Sequence, residues 1–137
     1  MSATPIFQVL LVDDEPVIRE LVRTMLTTGT VQVDVASDGV ECLRAAKTRR
    51  FDLFLLDIVL PGNLDGIALC RMLKSDPMTC KAPIYMLTAK AKQSDIETAR
   101  RAGADGYISK PFKGAELMDL VDNLERQSAA ARASSEV

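Results

Sequence analysis

The stretch LLDIVLPGNLDG, residues 55–66, changes character in its middle. An apolar run ends on the carboxylate of Asp57, and a few residues later the chain breaks at Pro61, Gly62 and Asn63. A short, continuously apolar run suits a strand buried on both faces, as in a parallel sheet covered by helices. Asp57 alone reads as the residue at which such a strand reaches water.

Three further runs are of the same kind: residues 9–12, residues 84–87, and Tyr107 with Ile108. VQVDVAS differs, because Val31, Val33 and Val35 alternate with polar residues, the pattern of a strand with one face partly in water at a sheet edge. Helical patterns lie between the runs. Ile18, Leu21, Val22, Met25 and Leu26 form a stripe after Pro16, which suits a first helical turn. Asp38 with Glu41 reads as a capping box for a second helix, which closes on Arg49 and Arg50. Ile67, Cys70 and Leu73 mark a third helix. Ser94 with Glu97 reads as the capping box of a fourth that stops at Gly103. Leu117, Leu120, Val121 and Leu124 stripe the fifth. Strand and helix alternate throughout, and right-handed crossovers turn that order into an α/β fold with a doubly wound, five-stranded parallel sheet. The edge strand at residues 31–35 selects the flavodoxin-like order 2-1-3-4-5. Residues 1–126 are expected to form the domain, and residues 127–137, small and polar, a flexible or frayed tail.

The composition excludes several classes of function. A chain of 137 residues with 47% hydrophobic and 26% charged residues suits a single globular domain. No apolar run approaches the roughly 18 residues of a membrane span, and the N-terminus lacks the pattern of a secretory signal, so the cytoplasm is the expected location. A net charge of -2 gives no basic field to attract nucleic acid. Cys42, Cys70 and Cys80 follow no metal-ligand spacing and read as reduced thiols. The absence of His removes the usual zinc sites and every His-based triad.

In a doubly wound sheet, ligands bind outside the carboxyl ends of the strands where strand order reverses. Here that point lies between the first and third strands, whose ends carry Asp13, Asp14 and Asp57. Three converging carboxylates repel one another, and a divalent cation relieves the conflict. Hard oxygen ligands open to water favour Mg²⁺, with Mn²⁺ as a substitute. Thr88 follows the fourth strand and is followed by the small Ala89, while Lys110 follows the fifth. A hydroxyl and an ammonium facing a carboxylate and a metal can hold the oxygens of a phosphoryl group. Taken singly, Lys110 reads as a surface lysine and the Asp13–Asp14 pair as a helix cap; their common placement at strand ends is what points to a site.

With these residues in place, the chain resembles the receiver domains of two-component response regulators, especially the single-domain chemotaxis type. The resemblance covers residues 7–125, and VDDE, LLDIVLPGNLDG, LTA and SKPF occur in the family's order. It implies that Asp57 accepts a phosphoryl group from a phosphohistidine on a sensor histidine kinase or phosphotransfer protein. It implies that Asp14, Asp57 and the main-chain carbonyl of Val59 bind Mg²⁺ directly, Asp13 mostly through water. Thr88 and Lys110 are implied to contact the phosphoryl oxygens, and Tyr107 to change rotamer with Thr88. The implied output surface is the fourth helix, fifth strand and fifth helix, residues 94–126, which serves either a downstream protein target or a phosphorylation-dependent homodimer. The chain is read either as a complete single-domain regulator or as the receiver of a longer parent with its own output domain.

The sequence departs from the family pattern in one place: the loop between Asp57 and Asp65 is one residue longer, with Asn63 as the extra. The Lys110–Pro111 bond is expected to be cis, as the family usually has it. Val59 and Lys90 occupy the positions two residues past Asp57 and Thr88 that influence dephosphorylation in the family. A haloacid-dehalogenase-type phosphatase also uses an Asp nucleophile at a strand end, but it needs a second Asp where this chain has Val59. A receiver-like scaffold that is never phosphorylated is the other rival, opposed by the full set of Asp13, Asp14, Asp57, Thr88 and Lys110.

Overall fold

The computed structural model describes residues 6–89 and 92–135. Strands and helices alternate as β1 (Phe7–Val12), α1 (Pro16–Leu26), β2 (Val31–Ala36), α2 (Gly39–Thr48), β3 (Leu53–Asp57), α3 (Gly66–Ser75), β4 (Ile84–Thr88), α4 (Gln93–Arg101), β5 (Gly106–Ser109) and α5 (Gly114–Ser135). The five strands form one parallel sheet in the order β2-β1-β3-β4-β5, as the alternation and the edge strand predict.

Successive strand residues face opposite sides of the sheet, which divides the interior into two cores. Leu10, Val12, Phe54, Leu56 and Met86 pack on one side with Cys42, Leu69, Cys70, Leu73 and Ala99 of α2, α3 and α4. Val9, Leu11, Leu53, Leu55 and Ile108 pack on the other with Val22, Leu26, Leu117 and Val121 of α1 and α5. All five residues of β3 are buried, as a central strand covered on both faces requires. Burial pushes the Cys42 thiol up to about 12, so it stays protonated and inert at neutral pH.

Register aligns the strand ends. Val12 pairs with Leu56, so Asp13 leaves β1 level with Asp57 at the end of β3. Asp57 pairs with Leu87 and Thr88 with Ser109, which brings Thr88 and Lys110 to the same edge.

Two local expectations are corrected. Helix α4 begins at Gln93, and Lys92 precedes it without a side-chain cap, so Ser94 lies inside the first turn and its carbonyl accepts from Thr98 Oγ1 at 2.7 Å. Leu21 is 49% exposed, and α1 is seated on the sheet by Val22 and Leu26, with Ile18 packed beside them. Helix α5 runs as far as Ser135, into the stretch expected to be a frayed helix end or tail, carried by the high helix propensity of Ala, Arg and Gln. The last two residues of that stretch lie outside the described residues. Asp38 does cap α2, accepting from the Glu41 N–H at 2.8 Å, while Glu41 reaches back to Ser37. Among the described residues no helix is long and apolar enough to cross a membrane.

Candidate functional site

The carboxyl ends of β1, β3, β4 and β5 frame one acidic cleft. Carboxylate oxygens of Asp13, Asp14, Glu15 and Asp57 lie within 4.8 Å of one another. Asp13 is fully buried and Asp57 nearly so, whereas Asp14 and Glu15 open to solvent. The sequence reading names Asp13, Asp14 and Asp57; Glu15 is the addition, and its signal was the fourth letter of VDDE.

Lys110 supplies the counter-charge. Its Nζ lies 2.6 Å from Asp13 Oδ2 and 3.1 Å from Asp57 Oδ2, with Glu15 Oε1 at 4.0 Å. The Lys110–Pro111 peptide bond is cis, and the Lys110 N–H donates to the Thr88 carbonyl at 2.7 Å. Burial acts to lower the pKa of the ammonium, but Asp13 and Asp57 together outweigh it and hold Lys110 above the usual lysine value. Asp57 also titrates above the ordinary carboxylate range. Burial raises it, and so does Asp13, against the opposing pull of Lys110 and of the Val59 N–H.

Both oxygens of Asp57 are held: Oδ2 by Lys110 and Oδ1 by the Val59 N–H at 3.1 Å. The carboxylate therefore has a fixed direction at the mouth of the cleft. The loop after it folds back tightly, since Gly66 N–H donates to the Ile58 carbonyl at 2.9 Å. A Cβ on Gly66 would lie 2.0 Å from the Asp57 carbonyl oxygen, so only glycine fits there. Gly62, with φ of +85°, turns the chain in the same loop, and Asp65 then caps α3 by accepting from the Ala68 N–H at 2.8 Å.

The remaining predicted residues fall around this centre. Thr88 is buried at the end of β4. Val59 points its side chain to solvent, 67% exposed. Tyr107 on β5 is 44% exposed and borders a groove of about 290 Å³ that it shares with Tyr85, Ile96, Ala99 and Arg100. Lys90 lies outside the described residues. Four carboxylates of hard oxygen type, of which Lys110 neutralises only part, fit a divalent cation that prefers oxygen ligands.

Comparison with known proteins agrees with this fold. A family model described as response regulator receiver domain matches residues 9–122. The alkaline phosphatase synthesis transcriptional regulatory protein PhoP of Bacillus subtilis is 40% identical over 130 residues, which cover 95% of this chain and 53% of that protein. The chain thus spans about half the length of the curated relatives it matches. The chemotaxis response regulator CheY4 of Vibrio cholerae superposes with a TM-score of 0.80 at 28% identity, over 87% of this chain and 98% of that one. The receiver domain of a sensor histidine kinase from Pseudomonas aeruginosa, solved with a magnesium ion coordinated in its active site cleft, is 35% identical with a TM-score of 0.78, over 87% of this chain and 97% of that one.

Proposed function

Because the chain belongs to the response regulator receiver domain family, a family of phosphoacceptors in two-component signalling, we propose that its own acceptor is Asp57 and that its switch is built from the residues around it. An Asp57 oxygen attacks the phosphorus of a phosphohistidine on a sensor histidine kinase or phosphotransfer protein. The P–N bond breaks, the imidazole leaves with the electron pair and takes a proton from solvent, and an aspartyl phosphate forms. Water later attacks the phosphorus, releasing phosphate and restoring the carboxylate. The chain catalyses only these two steps on itself.

The observation that carries this reading is the placement of Lys110 Nζ on both Asp13 and Asp57. A cation held beside the nucleophile is positioned to meet the negative charge that accumulates on the transferring group. The raised pKa of Asp57 keeps its oxygens basic and so more nucleophilic. Thr88 would take a phosphoryl oxygen through its hydroxyl, with Ala89 leaving room. Mg²⁺, or Mn²⁺ in its place, would be held by Asp13, Asp14 and Asp57 with the Val59 carbonyl, and would supply charge neutralisation at the phosphoryl oxygens.

The added group brings about -1.5 to -2 charges, enough to draw Thr88 and Lys110 toward it and to let Tyr107 follow Thr88. A shift of the active population from 1:99 to 99:1 needs about 5.5 kcal/mol of differential stabilisation. Charge-assisted contacts to one phosphoryl group have that order of strength. The face that answers would be α4, β5 and α5, presented to a protein target, to a second phosphorylated copy, or to an output domain of a longer parent. The transcriptional role in the name of PhoP belongs to that longer protein. The receiver unit here carries a net charge of -2, which supports action through protein contacts rather than on nucleic acid directly, and the cytoplasm is its proposed location. Residues 127–137 would lie beyond the switching unit.

The test is incubation with Mg²⁺ and acetyl phosphate, followed by intact mass. The wild type is expected to gain one phosphoryl group, and Asp57→Asn, or the wild type in EDTA, none. A folded wild type that binds Mg²⁺ but gains no mass would overturn the reading.

A further inference from the structure

Helix α1 starts without the usual device. Glu15 precedes it but makes no side-chain cap, and Pro16 in the first turn has no N–H to offer. Yet the turn leading into this helix carries three of the four clustered carboxylates, Asp13, Asp14 and Glu15. Their mutual repulsion acts on a segment that lacks the ordinary anchor.

Other bonds hold the turn. The Asp13 N–H donates to the Ala36 carbonyl at 3.1 Å, and Asp13 Oδ1 accepts from the Glu15 N–H at 2.9 Å. Arg19 Nη1 then reaches back from α1 and donates to the Asp13 main-chain carbonyl at 2.8 Å. This last bond ties the strand end to the helix through a side chain, where a cap would normally do so. Guanidinium suits the task, because its planar fork fixes direction as well as charge.

We propose that Arg19 is a positioning residue that sets the divalent-cation affinity of the cleft by keeping Asp13 and Asp14 turned toward Asp57. The inference rests on the reading of the cluster as a cation site. Two effects of Arg19 oppose each other. Its positive charge repels an incoming cation, and its bond to Asp13 keeps the ligands in place. The clamp outweighs the repulsion, since Arg19 is only partly buried and its charge acts through a high effective dielectric, whereas a misplaced ligand is lost outright. Groups that orient metal ligands in this way change affinity by about 10- to 100-fold when removed.

The opposition gives the test a sign. The chain has no Trp, so binding is read by calorimetric titration of Mg²⁺ into the wild type, Arg19→Gln and Arg19→Lys, with thermal melts alongside. Arg19→Gln is expected to bind Mg²⁺ about tenfold more weakly, and Arg19→Lys, whose ammonium can still donate one bond to the Asp13 carbonyl but without a fixed direction, to fall between it and the wild type. Equal or tighter binding by Arg19→Gln is what charge alone dictates and would overturn the proposal. Should Arg19→Gln fail to melt cooperatively, Arg19→Lys decides by the same criterion. A wild type that binds no Mg²⁺ overturns the cation site itself, and this inference with it; that outcome is distinct from a wild type that binds and an Arg19→Gln that binds as well.

Discussion

Asp57 has two demands on it that pull apart. As the proposed nucleophile it must be a basic carboxylate in a fixed direction, and as a buried acid beside Asp13 it makes the native state less stable when ionised. Its pKa is raised above that of the unfolded chain, about 3.9, so the native state binds this proton more readily. Its contribution to stability is therefore favourable at low pH and is lost as pH rises through the native value. Asp57→Asn removes that loss while leaving the Val59 N–H an oxygen to bond. The variant is expected to melt a few degrees above the wild type at neutral pH, with the gap closing as pH falls toward 4, as thermal scans across that range would record. Lys110 acts at the other end of the scale. Its native pKa is also raised, so its stabilisation is complete below about 10.4 and disappears as pH climbs through the native value. A gap between Asp57→Asn and wild type that does not change with pH would contradict this assignment of cause.

At the scale of elements, strand ends and the turns after them make the site. The β3 to α3 connection shows how little tolerance they leave, because any Cβ at Gly66 meets main chain of Asp57 rather than a side chain that could swing away. Gly66→Ala is expected to cost about 3 kcal/mol in urea unfolding, the upper end of overpacking, and to impair phosphorylation with it, since the end of β3 must move. Gly29→Ala is the control and should be near neutral, as nothing lies within 4 Å of the added carbon. What the sequence disclosed, and what it hid, follows from the same division. The placement of Asp13, Asp57, Thr88 and Lys110 was legible because apolar runs show where buried strands stop, and parallel order puts all those stops on one edge. Arg19 was not, because helical periodicity places its Cα but says nothing about a long side chain folding back onto a strand carbonyl. Ser94 and Glu97 misled because their spacing also fits inside a first turn that starts at Gln93. The end of α5 stayed open between helix and tail because residues 127–135 carry helix propensity without an apolar stripe.

The whole molecule is a sheet with a core on each face and its acidic cleft at one edge, so events at Asp57 and the outer face of α4, β5 and α5 share a framework of buried strands. The far end of α5 stands outside that framework. Leu124 is its last described residue packed on a core, and beyond it Gln127 and Ser128 line a groove with Phe7 and Phe51. Truncation after Arg126 is expected to change stability by less than about 1 kcal/mol and to leave Mg²⁺-dependent phosphorylation intact, measured by chemical unfolding and intact mass. A large loss would mean that the extension is part of the fold. The central claim, that one carboxylate among four in the cleft is the acceptor, is tested most directly by trapping. After phosphorylation, borohydride reduces an acyl phosphate to the alcohol, and peptide mass mapping locates the product. The account predicts homoserine at position 57 and at no other acidic residue; homoserine at position 13 or 14, or phosphate that survives borohydride, would contradict it.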